Sequence, residues 1–200
     1  MSSERKTYHR RSIRLPGYDY RQSGMYFVTI GTWERQSLFG AVVGGEMRLS
    51  EYGQIVKEEW LRTLLLRPGV DLDEFVVMPN HLHGILVLPA ENVRSVGAHS
   101  CAPLPQQRLY RQPRSLGSLL AGFKSAATKR INDLRHMLGM PLWQRNYYEH
   151  IIRNEDELHH VREYIQTNPL RWELDRENPA KLGEDEFDQW LDLGRERSRR

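Results

Sequence analysis

An α+β fold is predicted, with a single antiparallel sheet, helices packed on one of its faces and the other face left open. Three observations point to it. Short runs rich in β-branched and aromatic residues, such as Met25–Thr32, are interspersed with longer runs of helical period. Their order is strand, hairpin, helix, strand, strand, helix, helix, which lacks the regular βαβ alternation of a parallel sheet. Finally, 39% hydrophobic residues in a chain of 200 supply one core, enough for a single domain with tails.

Residues 1–22 read as an extended basic segment anchored by Ile13, Leu15, Tyr18 and Tyr20. The domain proper spans 23–172, and a charged tail covers 173–200. Met25–Thr32 is a strand, and Gly44-Gly45 within Leu38–Leu49 marks a small hairpin. Ser50 and Glu51 open a helix that gathers Tyr52, Ile55, Val56, Trp60 and Leu64 on one side. Arg67-Pro68-Gly69 ends it. Phe75–Met78 is the next strand, Pro79-Asn80 a turn, and a further strand starts at His81. Residues 89–114 hold four prolines and little periodicity, so they read as an inserted flexible loop. Ser115 caps a long helix with Leu116, Leu119, Leu120, Phe123, Ala127, Ile131, Leu134 and Leu138 at helical spacing, stopped by Gly139-Met140-Pro141. Asn154 with Glu157 gives a capping-box-like start to another helix, whose buried side is Leu158, Val161 and Ile165. Pro169 ends that helix, because the residue before a proline is pushed out of helical geometry. One short helix is expected in the tail, around Glu184–Leu193.

Composition excludes several classes. No run approaches the roughly 18 apolar residues a membrane span needs, and no apolar signal segment follows the N-terminus. The single Cys101 offers neither a disulfide framework nor a cysteine zinc site, so a cytoplasmic protein is expected. Net charge is only +3, but it is segregated. Arg5, Lys6, Arg10, Arg11, Arg14 and Arg21 crowd the first segment, and from Arg108 to Arg135 seven cations face one acid, Asp133. Such separation suits a polyanion, most simply nucleic acid. Arg11, Arg14, Lys124, Lys129 and Arg130 are the candidate DNA contacts.

The chemistry starts at Met78-Pro79-Asn80-His81-Leu82-His83-Gly84. On a strand, side chains at i and i+2 share a face, so His81 and His83 project together while Leu82, Gly84, Leu86 and Leu88 face the other way. Far along the chain, Tyr164 and Asn168 stand four apart and share one helical face. A helix laying that face over the histidine strand would unite two imidazoles, an amide oxygen and a phenol. His81, His83 and Asn168 can ligate Mg²⁺ or Mn²⁺. Tyr164 can then attack a phosphodiester, keeping the bond energy in a phosphotyrosine so that the strand can be rejoined elsewhere.

These residues resemble those of the REP-associated tyrosine transposases, a branch of the single-tyrosine HUH transposases. The resemblance is carried by Arg11–Tyr20, Tyr26–Thr29, Val76–Gly84, Trp143-Gln144-Arg145 with Tyr148–Arg153, and Tyr164–Pro169, in order over about residues 8–172. It implies a ferredoxin-like fold, a homodimer and action on single-stranded or hairpin DNA, with neither membrane nor small-molecule substrate. It also implies catalytic Tyr164, His81 and His83, and metal ligands His81, His83 and Asn168. A hairpin-binding host factor that does not transpose is the alternative. Tyr147 and Tyr148 are rival nucleophiles that lack a polar residue at ligand spacing in the sequence and read as packing residues, and Trp143 reads as core. His150 reads as structural, and His160 as an exposed helix histidine.

Overall fold

The computed structural model describes residues 23–89 and 115–197, with side chains to residue 193. The basic N-terminal segment with Arg11 and Arg14, and the expected loop beyond Pro89, lie outside the described residues. Four strands form one antiparallel sheet: β1 (Gly24–Gly31), β4 (Asp71–Val77), β5 (His81–Leu88) and β6 (Tyr148–Ile152), in the order β4-β5-β1-β6. A separate hairpin pairs β2 (Gly40–Val43) with β3 (Glu46–Leu49). The helices are α1 (Glu51–Leu66), α2 (Leu116–Leu134), α3 (Glu155–Thr167) and α4 (Glu186–Arg197). Without the hairpin, α3 and α4, the chain reads β1-α1-β4-β5-α2-β6 and is ferredoxin-like, as expected.

Local chemistry explains the elements. Ser50 accepts from the Gly53 N–H at the start of α1, Ser115 from Ser118 at α2, and Asn154 from Glu157 at α3. Between β4 and β5, Pro79 and Asn80 form a two-residue connection closed by the Met78 N–H donating to His81 O at 2.8 Å. The tight hairpin fixes the register that pairs Val76 with His83, and on the other side of β5, Thr29 of β1 pairs with His83. Gly84 has a packing reason: a Cβ there would stand 2.6 Å from the fully buried Trp60 ring.

One strand was not expected, and one expectation needs correction. Tyr148–Ile152 is an edge strand, pairing Met25 with Ile152 through Thr29 with Tyr148. Its buried residues include Glu149 and His150, so no clean apolar alternation marks it. Helices also cover both faces, not one. The even side of β1 (Tyr26, Val28, Ile30) and Leu82 and Leu86 of β5 pack with Ile55, Val56 and Trp60 of α1 and Leu120, Phe123 and Ala127 of α2. The odd side (Phe27, Ile85) packs with Leu158, Val161, Tyr164 and Ile165 of α3 and Phe187 and Leu191 of α4. The cause is in the sequence: Phe27 and Ile85 are apolar on the face that would otherwise meet water, and α3 and α4 carry the apolar side chains that bury them.

Candidate active site

On that second face the strand pleat sets His81 and His83 side by side, ring centroids 4.3 Å apart, both almost wholly buried. Each ring is held from behind at Nδ1, by Asn80 Oδ1 for His81 and Thr29 Oγ1 for His83, both at 2.8 Å. The Asn80 amide nitrogen donates to the carbonyls of Arg35 and Glu177, so its oxygen is the acceptor. His81 therefore carries its proton on Nδ1, and its Nε2 lone pair points forward.

In front of both rings lies Asp175, which the sequence reading left in the tail. Its Oδ2 is 3.7 Å from His81 Nε2 and 3.5 Å from His83 Nε2. A turn of 3₁₀ helix over Asn168–Leu174 follows α3 and brings the chain back to this point. Asp175 is completely buried and caps itself by accepting the Glu177 N–H at Oδ1. Oδ2 also accepts from the Asn168 amide at 2.7 Å and from the Tyr164 hydroxyl at 3.2 Å. That hydroxyl is likewise 3.2 Å from His83 Nε2. The structure thus brings together all four residues singled out for chemistry, around a carboxylate that had not been singled out.

The electrostatics of this cluster are unusual. Burial, then the neighbouring His83, presses the His81 pKa down to about 3, so the ring is neutral. Burial opposes charge on Asp175, but His81, His83 and the Asn168 N–H outweigh it and hold the carboxyl below the usual carboxylate range. A lone pair and a carboxylate oxygen therefore face each other with no proton between them. His81 Nε2 and Asn168 Oδ1 are also buried without a hydrogen-bond partner. A cation answers both conditions, and His81, His83 and Asp175 offer ligand atoms within 4.8 Å of one another. The residues fit a divalent metal ion. Burial and then the Asp175 charge push the Tyr164 phenol well above its ordinary pKa, so it is protonated here. Its ring stacks on Phe187 at 3.8 Å and is 2% exposed.

The basic residues of α2 lie on the opposite face of the sheet, away from this cluster. Lys124 Nζ donates to the carbonyls of Gln144 and Arg145, and Arg130 bonds Glu58 and Glu59. Lys129 makes an exposed pair with Asp133. Trp143 is in the core, as expected. His160 is not an exposed histidine: it is half-buried, its ring packing against Phe187 and Trp190. His150 is buried, with its Nε2 3.5 Å from Glu157.

No family model matches the chain. It is 41% identical over 174 residues to a Haemophilus influenzae protein described only as uncharacterized, covering 84% of this chain and 93% of that one. Among solved structures, a REP-associated tyrosine transposase bound to a REP hairpin superposes with a TM-score of 0.52. It covers 86% of this chain and 74% of that one, at 21% identity. A candidate transposase of Deinococcus radiodurans R1 reaches only 0.42 at 18% identity, over 83% of this chain and 96% of that one, and adds no weight. The chain belongs to one family with the Haemophilus influenzae protein, and its fold is the one the motifs implied, that of the REP-associated tyrosine transposases of the single-tyrosine HUH group.

Proposed function

We propose that the chain is a metal-dependent endonuclease and strand transferase for single-stranded DNA near hairpins, acting through a 5′-phosphotyrosine on Tyr164. One observation carries this reading: the Tyr164 hydroxyl, His81, His83, Asp175 and Asn168 share one buried cluster. His81 and His83 through Nε2, with Asp175 or Asn168 through oxygen, would hold Mg²⁺ or Mn²⁺. Bound there, the ion would offset the Asp175 charge and polarise a phosphodiester. Thr29 and Asn80 fix the imidazoles in the ligating orientation.

The residues' own steps follow from the geometry. Tyr164 Oη attacks phosphorus, forming the Oη–P bond and breaking the bond to the 3′ oxygen. The Asp175 Oδ2 that accepts the Tyr164 O–H would orient it for attack, the phenol proton would be lost to solvent as the Oη–P bond forms, and the departing 3′ oxygen would take up a proton from solvent. Phe187 must leave the phenol ring for DNA to reach it. Support also comes from the similar solved structure, a REP-associated tyrosine transposase bound to a REP hairpin. A homodimer in the cytoplasm belongs to the same proposal, as do DNA contacts from Arg11, Arg14, Lys124, Lys129 and Arg130. Of these, Lys129 is the described cation freest to meet a phosphate.

The covered phenol favours one second reading, a hairpin-binding host factor that keeps the cluster without using it. Incubating the protein with a labelled single-stranded hairpin and Mn²⁺, then denaturing, separates the two. A DNA–protein adduct that vanishes in Tyr164→Phe supports strand transfer. Tight binding with no adduct supports the binding factor, and cleavage that survives Tyr164→Phe means that water is the nucleophile.

A further inference from the structure

At one edge of the cluster, a cation and a flat aromatic ring remain that the proposed chemistry does not use. Thr32 to Gln36 follows β1 and runs along the Pro79-Asn80 turn, with the Thr32 N–H donating to Asn80 O at 2.8 Å. The Asn80 carboxamide joins three parts of the molecule, bonding the Arg35 carbonyl, the Glu177 carbonyl and His81 Nδ1. Arg35 is thus one side chain removed from a proposed metal ligand. Glu34 and Arg35 both hold φ of 55°, two successive left-handed residues that are not glycine. Backbone of this kind is strained, and the surrounding bonds hold it in place.

The Arg35 side chain is 46% exposed and touches Glu177 through Nε at 3.4 Å. None of its N–H groups makes a hydrogen bond to a described residue, although a guanidinium has five to give. Across the cluster edge the partly exposed Trp172 ring lies 5.9 Å from His81, tilted by 31°. A planar donor fork suits a phosphate, and an indole with one part open to solvent suits a base.

The geometry points to a nucleotide subsite here, in which Arg35 takes the phosphate next to the scissile one and Trp172 stacks on the adjoining base. Glu177 holds the guanidinium when DNA is absent, as a carboxylate in the place of phosphate. The position of the scissile phosphate rests on the strand-transfer reading; binding of the nucleotide does not.

The test uses the full chain carrying Tyr164→Phe, so that no cleavage intervenes, and a fluorescein-labelled DNA hairpin with a thymidylate extension of ~12 nucleotides. Binding is followed by anisotropy at several salt concentrations. Arg35→Ala should weaken binding about tenfold and lower the slope of log K against log salt by about 0.7, one phosphate's share on a single strand. Trp172→Ala should cost about fivefold or more, with most of it restored in Trp172→Phe. Glu177→Gln, which frees Arg35 without touching the fork, should tighten binding. Neutral methylphosphonates placed one at a time should weaken the parent at one position and leave Arg35→Ala indifferent there. Parent-like affinity and slope in Arg35→Ala overturn the proposal, as does failure of the parent to bind the probe. An intact Arg35 effect with no adduct from the Tyr164 protein leaves the subsite standing and overturns only the strand-transfer reading.

Discussion

On β1, Tyr26, Val28 and Ile30 enter one face of the sheet while Phe27 and Thr29 enter the other. On β5, Leu82 and Leu86 oppose His81 and His83. The first face, under α1 and α2, is apolar at its centre, with its buried polar groups, Glu59 of α1, Asn132 of α2 and Glu149 of β6, away from the paired histidines. The second, under α3 and α4, buries His81, His83, His150, Asn168, Asp175, Asp185 and Asp188 among its apolar residues. One face is packed for stability; the other gives up apolar burial for a cluster whose charges do not balance. Burial even raises Asp188 on α4 to about 6, with Asp175 and Asp185 adding to the rise against the pull of Arg176. Alternation along two strands therefore divides the labour of the domain.

Perturbing each face in turn should separate the two roles. Trp60→Ala opens a cavity on the apolar face and should cost about 4 kcal/mol in denaturant unfolding. A loss under 1 kcal/mol would mean that this face is not the main source of stability. Asp175→Ala should act on both. Mn²⁺ affinity should fall about a hundredfold, roughly 2.7 kcal/mol, and stability in chelator should also fall, by about 1–3 kcal/mol, because the Asn168 amide, the Tyr164 hydroxyl and the Glu177 N–H lose their acceptor. Unchanged Mn²⁺ binding by titration calorimetry would remove Asp175 from the site.

The pH response should come from the second face. His81 is neutral in the folded protein, with its pKa near 3 against an ordinary 6.5. Its contribution is therefore full above the unfolded value and drains away as pH falls toward the folded one. Metal-free protein should lose about 2 kcal/mol of stability between pH 7 and 5, and His81→Gln should lack that part of the dependence. The smallest effect expected is that of Thr29→Val, which unties His83 Nδ1 and should weaken Mn²⁺ binding about tenfold, or 1.4 kcal/mol.

The same comparison explains what could be read from the sequence. His81, His83, Tyr164 and Asn168 were legible because strand and helix periods alone decide which side chains share a face. Asp175 was not, since it stands beyond Pro169 in a charged stretch, and only the 3₁₀ turn over Asn168–Leu174 brings it back. Its signal was weak: an aspartate beside Leu174, outside any periodic pattern. The second helical layer left a better one. A helix was read near Glu184–Leu193, but its packing was not: Phe187, Trp190 and Leu191 stand at i, i+3 and i+4, the apolar stripe of a packed helix, and the acids between them made it look solvated. β6 was hidden because a buried polar residue stands on each of its faces, Glu149 on one and His150 on the other.

The most direct measurement of the central assignment is peptide mapping by mass spectrometry after reaction with a hairpin substrate and Mn²⁺. The expected product is a single nucleotide-bearing peptide, modified at Tyr164, that disappears when His83 is changed to Ala. A modified Tyr147 or Tyr148, or cleaved DNA with no modified peptide at all, would contradict the placement of the nucleophile beside the paired histidines.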